Sequence, residues 1–402
     1  MRSIEYTYQT GAHGMSEPHK HSHRTLKEDE RLLNLGPQHP STHGVLRLEV
    51  LCEGEIIKDV VPHIGFLHRC FEKHAEQLPY GQIIPYVDRM DYVAAMCNEH
   101  AFAMGVERML GITGQLPERM EYIRVMVVEL NRIASHFIAL GTYALDLGTA
   151  TPFLWMMRDR EHILRLLEWL TGARMLYNYI WIGALYFDLP PDFCKKTAQL
   201  ITSIDKHLRE SKMLLLQNPI FVARTANIGI LLPNTALQYG VTRPCLRASG
   251  LRYDLRKVDG YAVYKNIDFD IPIGISSVGS IGDCWNRTFV RYQECQESLK
   301  IILQCIDKIE TMPKDRTFDP HALLPKKVRP KAQSMYVRAE NPRGELGFFF
   351  RSDGSDKPWR CKARAPSFAN LSVLPKLCQN VPLADLIAIL GSLDLLMGEI
   401  DR

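Results

Sequence analysis

The chain has 402 residues, 46% hydrophobic and 23% charged, the balance of one large or two ordinary globular domains with an apolar core. A formal net charge of +4 is too small over this length for the basic stripe of a nucleic-acid binder, and no apolar run reaches the about 18 residues that span a bilayer. None of the ten cysteines forms a C-x-x-C pair, which argues against structural zinc, an intrinsic iron–sulfur cluster and a secreted disulfide framework, and leaves buried free thiols as the expectation.

Residues 1–32 read as an extended arm. His13, His19, His21 and His23 lie there among polar neighbours, a solvated tail rather than a metal site or a transit peptide. Residues 33–402 are expected to form one domain. In its first part, 33–64, Leu46, Leu48 and Val50 alternate with Arg47 and Glu49, Glu53-Gly54 supplies a turn, and 56–61 returns as the second strand of a hairpin.

A helical bundle is expected over 65–310. Pro117 opens a segment in which Val127, Leu130, Ile133, Ala134, Phe137, Ile138 and Leu145 recur at helical spacing. Thr151-Pro152 starts the next helix and Gly172 stops it; Pro190-Pro191 opens another, ending at Asn218-Pro219; 284–309 is a further one. Residues 311–335, rich in Pro, Lys and Arg, read as a surface connection. The last part, 336–402, carries a hairpin whose turn is Ser352-Asp353-Gly354-Ser355, followed by a tail. The fold class is therefore α+β, a mainly helical bundle core with an N-terminal and a C-terminal β-hairpin, without internal repeats.

Three places could carry chemistry. Gly36-Pro37-Gln38-His39-Pro40-Ser41-Thr42-His43-Gly44 is a rigid loop entering a strand, which suits either the presentation of an imidazole to a ligand or a satisfied turn histidine; Pro40 argues against a helical metal pair. In Asp88-Arg89-Met90-Asp91-Tyr92, read as a helix start, capping and a salt bridge compete with a Tyr92 phenol that donates to a ligand oxygen. Asp146 ends an apolar helix, where a carboxylate needs a partner or acts as a cap.

GPQHPSTHGVLRLE, PYVDRMDYVAAMCNE and ALDLGTATPF stand in this order, followed by LRASGLRYDLRK, YAVY, DFDIPIG, GDCWNR, SDGSDKPWRCKARAPSF and the terminal GEIDR. In these blocks the chain, from about residue 33 to its end, resembles the 49-kDa subunit family of the proton-pumping NADH:ubiquinone oxidoreductase, respiratory complex I. The resemblance implies a fold like the large subunit of nickel–iron hydrogenases, and a quinone head-group site. His43 and Tyr92 would hydrogen-bond the two quinone carbonyls, Asp146 would pair with His43, and His39 would shape the same loop. Arg69 would lie near an iron–sulfur cluster held by a neighbouring subunit.

Ubiquinone would be the substrate, with no cofactor bound by this chain alone. The two C-x-x-C pairs that hold nickel in the hydrogenases are missing here. The implied partners are the cluster-bearing 20-kDa-type subunit, the 30-kDa-type subunit and the membrane subunit of the quinone channel, through which the chain would attach to a membrane. The expected location is the matrix side of the mitochondrial inner membrane, with the cytoplasmic face of a bacterial plasma membrane as the alternative. A plastoquinone-reducing photosynthetic complex and a divergent scaffold are the competing readings.

The chain departs from the family pattern in places. Cys70 replaces a glycine after Arg69, Leu176 replaces a histidine close to the neighbouring cluster, Trp181-Ile182-Gly183 lacks the usual Arg-Pro-Gly-Gly, and a helical stretch is missing between Gln333 and Arg338.

Overall fold

Three antiparallel strands come first, Glu30–Leu35 (β1), Arg47–Glu53 (β2) and Ile56–His63 (β3), in the order β1-β2-β3. The computed structural model describes residues 26, 27, 29–39, 44–312, 319–321, 323 and 325–402; the histidines of the arm and His43 lie outside the described residues. The pairing of β2 with β3 follows the alternation read from the sequence and buries Leu48, Val50, Ile57 and Val60. The strand β1 makes the sheet three-stranded rather than a hairpin. It is an edge strand whose Leu33 and Leu35 turn partly buried toward the second core while Leu32 and Asn34 are exposed, and its ladder to β2 runs from Glu30↔Glu53 to Leu35↔Leu48.

Helices then dominate: Phe71–Ala75 (α1), Tyr80–Asp88 (α2), Ala95–Leu110 (α3), Glu118–Asp146 (α4) and Ala150–Thr171 (α5). A two-residue hairpin, Ile180–Trp181 (β4) with Ala184–Leu185 (β5), precedes Phe193–Leu214 (α6). Four short helices follow, Pro219–Thr225 (α7), Pro233–Gln238 (α8), Arg243–Ala248 (α9) and Leu255–Val258 (α10), and then the long Cys284–Thr311 (α11). Two boundaries differ from expectation. Asn218-Pro219 starts α7 rather than ending α6, because the Asn218 side chain accepts from the amides of Ile220 and Phe221, with Pro219 as first helical residue. Asp88 ends α2 rather than starting a helix, and its carboxylate accepts instead from the distant Asn178 amide at 3.0 Å.

The chain closes with the sheet Gln333–Asn341 (β6), Gly344–Ser352 (β7) and Arg360–Arg364 (β8), in the order β6-β7-β8, and four helices, Pro366–Ser372 (α12), Leu374–Leu377 (α13), Leu383–Leu393 (α14) and Met397–Asp401 (α15). The 352–355 turn joins β7 to β8, as the sequence indicates, and β6 adds a third strand to this sheet as well.

Helix α4 is the axis of the main core. Ile123, Val127, Leu130, Ile133 and Phe137 are buried between α5 and α11, so an apolar surface wrapping most of its circumference is satisfied on both sides. The C-terminal sheet closes this core by placing Phe348 and Phe350 edge-on against Phe102 of α3, with centroids at 5.6 and 5.4 Å. A second core joins β2 and β3 to α9, α13 and α14 through Leu48, Val50, Leu374 and Ile389. Among the described residues, no helix is long and apolar enough to cross a membrane.

Candidate functional site

Residues 89–94 form the turn between α2 and α3 that carries Tyr92. Side chains from across the sequence fix it. Asn131 of α4 accepts from the Met96 amide at 3.1 Å and donates to Val93 O at 3.3 Å. Asn98 donates to Val87 O at 3.0 Å and accepts from Asn341 at 2.7 Å. Helix α15 packs against the same turn through Gly398. A Cβ there would sit 2.7 Å from Met90 O and 3.4 Å from Tyr92 Cδ1, so the contact admits glycine alone.

Beneath the turn lies a buried ionic cluster. Arg343, at the β6–β7 turn, donates to both Asp91 oxygens at 3.0 and 2.8 Å, to Ser135 Oγ at 3.2 Å and to Asp394 Oδ1 at 3.3 Å. All four residues are buried. The salt bridge of Asp91 and the exposure of Tyr92 to the adjoining cavity therefore coexist in one turn.

Tyr92 faces a cavity of about 290 Å³. Its polar lining is Tyr92, Thr142, Asp146, Arg343 and Asp394; the apolar part is Val93, Ile138, Leu145, Leu395 and Leu396. Asp146, the last residue of α4, reaches it because the helix ends at the cavity rim. Among the described residues Tyr92 Oη makes no hydrogen bond, so it is open to a ligand. Burial pushes the phenol's pKa up; Arg343 opposes this, Asp91 reinforces it and Arg69 opposes it again, which leaves a protonated donor at neutral pH.

The structure thus brings two of the sequence-expected residues, Tyr92 and Asp146, to one cavity. His39 is half-buried and bridged to Gly44, and does not line the cavity. Gly44 abuts α15, where an added Cβ would lie 3.1 Å from Met397 Cγ, so Gly44 rests on the helix that also supports Tyr92. His43 itself is outside the described residues.

Arg69 is exposed and lies behind the Tyr92 turn. Its guanidinium donates to Arg89 O at 2.6 Å and its amide to Arg402 O at 3.0 Å. The segment before it is tied to α15 by Asp401, which accepts from the Gly65 and Leu67 amides at 2.9 and 2.7 Å. Cys70 has φ 57°, in the left-handed region that favours glycine. Leu176 shares that region with φ 58° and packs partly buried against the main core.

Sequence reasoning missed Arg343, Asp394, Thr142 and the Leu395-Leu396 wall. The polar ones are unremarkable in sequence, an arginine in Asn-Pro-Arg-Gly and an aspartate after a helix, and the available signal was the terminal GEIDR block close to Asp394. Among the described residues no cluster of three or more His, Cys, Asp or Glu is arranged to hold a metal ion. All ten cysteines are free, eight of them buried.

Residues 146–402 match the family described as respiratory-chain NADH dehydrogenase, 49 Kd subunit. The chain is 64% identical over 379 residues to a D-type NADH-quinone oxidoreductase subunit of Cytophaga hutchinsonii, covering 94% of this chain and 97% of the relative. It is 60% identical to the D-type subunit of Amoebophilus asiaticus, over 98% of both chains, and 53% identical to that of Chlorobaculum tepidum, over 94% of both. These relatives are bacterial and lend no support to the mitochondrial expectation. By the length of the family match and the identity to full-length relatives, the chain belongs to the 49-kDa subunit family of respiratory-chain NADH dehydrogenase.

Proposed function

We propose that the chain is the quinone-site core subunit of a bacterial NADH:quinone oxidoreductase, and that the cavity between Tyr92 and Asp146 receives the quinone head group. The observation that carries this reading is the cavity itself, lined by the Tyr92 phenol and the Asp146 carboxyl together with apolar walls. An aromatic head group needs that combination, apolar surface for the ring and few polar groups for its two oxygens. The relatives are named as subunits of NADH-quinone oxidoreductases, which favours this reading over the plastoquinone and scaffold alternatives.

Reduction of a quinone to a quinol takes up two electrons and two protons. The electrons would come from an iron–sulfur cluster in a neighbouring subunit. Tyr92 would donate to one quinone oxygen and His43 to the other, with Asp146 beside the imidazole favouring its protonated form. Other complex subunits would supply the NADH chemistry, the cluster and the membrane attachment, with the chain on the cytoplasmic side of the plasma membrane.

A photoreactive quinone analogue tests the site. In the intact complex it should label peptides containing Tyr92 or 395–396, and excess quinone should compete the label away. Competable labelling of this subunit confined to peptides remote from the cavity would contradict the reading.

A further inference from the structure

We propose that Asp88 and Glu99 share one proton, and that the hydrogen bond it makes is a clasp that holds the Tyr92 turn and the 178–180 segment in place. Its bearing on the reaction rests on the quinone reading above. The two residues stand on either side of the 89–94 turn, Asp88 at the end of α2 and Glu99 on α3, and both are fully buried. Their chain neighbours are already joined, since Asn98 donates to Val87 O at 3.0 Å. Three successive backbone amides converge on the pair. Asn178 donates to Asp88 Oδ2 at 3.0 Å, and Tyr179 and Ile180 donate to Glu99 Oε2 at 2.9 and 2.6 Å. The other oxygens, Asp88 Oδ1 and Glu99 Oε1, are buried and receive no N–H, and the two side chains are hydrogen-bonded to each other. Ionised carboxylates only accept, so that bond requires a proton between them.

The surroundings supply no strong counter-charge. Arg89, the cation that faces the pair, is exposed and donates to Pro85 O. The Tyr177 and Tyr179 phenols also face the pair; burial pushes both up, so they stay neutral, and the Tyr179 hydroxyl donates to Phe187 O at 2.8 Å. Arg160 of α5 faces Tyr177. Two bare carboxylates here would repel each other and forfeit their hydration, whereas one shared proton leaves a single charge spread over three amides. The 178–180 segment depends on those amide bonds. Leu176 and Asn178 hold φ of 58° and 47°, left-handed conformations that persist only where the surroundings fix them.

Closing the clasp therefore takes up one proton, which belongs to the pair rather than to either residue. Burial pushes Asp88 up to about 10, with the charge and the hydrogen bond of Glu99 adding to the effect and the Asn178 amide and Arg89 opposing it. Burial raises Glu99 as well. The stability this proton contributes is complete below the usual carboxylate range, about 4, and is lost as pH rises from there through about 10.

Hydrogen–deuterium exchange of the intact complex, corrected for the intrinsic exchange rate, reads the clasp in peptides covering 89–94 and 178–180. Opening exposes both carboxyls to water, where both ionise, so wild-type protection at 178–180 should fall about tenfold per pH unit from about pH 7 to about pH 9. Asp88→Asn and Glu99→Gln each set an N–H donor against the remaining carboxylate, so either variant should keep level protection across that range. Asp88→Asn combined with Glu99→Gln sets two amides against each other. That double variant should lose protection in both peptides, and its quinone reduction should fall roughly tenfold below either single variant while ferricyanide reduction persists. Wild-type protection that is level with pH would overturn the shared proton. So would a double variant as protected as the single ones, or failure of both single variants to assemble, since two carboxylates would then be required. Lost protection in the double variant with quinone reduction equal to that of the single ones would overturn the positioning role. A harmless Tyr92→Phe would contradict the quinone reading and leave the shared proton standing.

Discussion

Arg343 Nη1 bonds both carboxylate oxygens of Asp91, across 252 positions of sequence, and so ties the β6–β7 turn to the residue before Tyr92. Removing a buried guanidinium leaves its carboxylates uncompensated, which costs about 3–5 kcal/mol. Arg343→Met should therefore lower the melting temperature of this subunit in the purified complex and cut quinone reductase activity. Arg343→Lys should recover part of both. A melting temperature unchanged in Arg343→Met would show that the pair does not fix the turn.

Deeper in the core, Glu294 accepts from His136 Nε2 at 2.9 Å, and Arg243 and Arg247 meet the same carboxylate. Burial raises its pKa, but the Arg247 charge and the His136 hydrogen bond outweigh that and hold it down at about 2. With a depressed folded-state value, the stability it contributes is present above about 4.5, the ordinary glutamate range, and is lost as pH falls through that range toward 2. Burial lowers the His136 pKa, so its neutral form also favours the fold above the usual histidine value and opposes it below. Glu294→Gln should weaken the subunit at neutral pH by roughly 3–5 kcal/mol and flatten its acid sensitivity. Thermal scans of wild-type and variant complexes from neutral pH down to about pH 4 read both effects. Parallel pH profiles would contradict this account of Glu294.

Under the proposed function, Leu176 would bear on the cluster of the neighbouring subunit. The resemblance implies a histidine at this position, and an imidazole that close to the cluster would couple reduction to protonation, because the added electron would stabilise the imidazolium. Leucine has no proton to gain. The cluster midpoint should vary little with pH in the intact complex, and Leu176→His should introduce a dependence. An EPR redox titration at about pH 6 and pH 8 reads this. A slope approaching roughly 59 mV per pH unit in the unaltered protein would mean that another group titrates there.

The legible parts of this fold were those with local causes. Helix α4 declared itself by period and by Pro117, α5 by Gly172, and the 352–355 turn by its small polar residues, because each signal lies within the element it shapes. Strand β1 was not legible, since the inward pair Leu33 and Leu35 is too short an alternation to signal a strand and Glu30–Leu35 is held mainly by its ladder to β2. The site divides the same way. Tyr92 and Asp146 were found through the motif blocks around them. Arg343 and Asp394 reach the site only through the return of the C-terminal segments onto the 89–94 turn, and no periodicity encodes that meeting.

The most direct measurement is the turnover of Tyr92→Phe in the fully assembled complex, with NADH:quinone and NADH:ferricyanide activities read side by side. The substitution keeps the ring that packs over Gly398 and removes only the phenolic donor. Loss of a hydrogen bond made mainly in the transition state costs on the order of 2–4 kcal/mol, a rate factor of roughly 30–1000. Quinone reduction should fall by that factor while ferricyanide reduction persists. Near-normal quinone reduction by the assembled variant would contradict the assignment of this cavity as the quinone site.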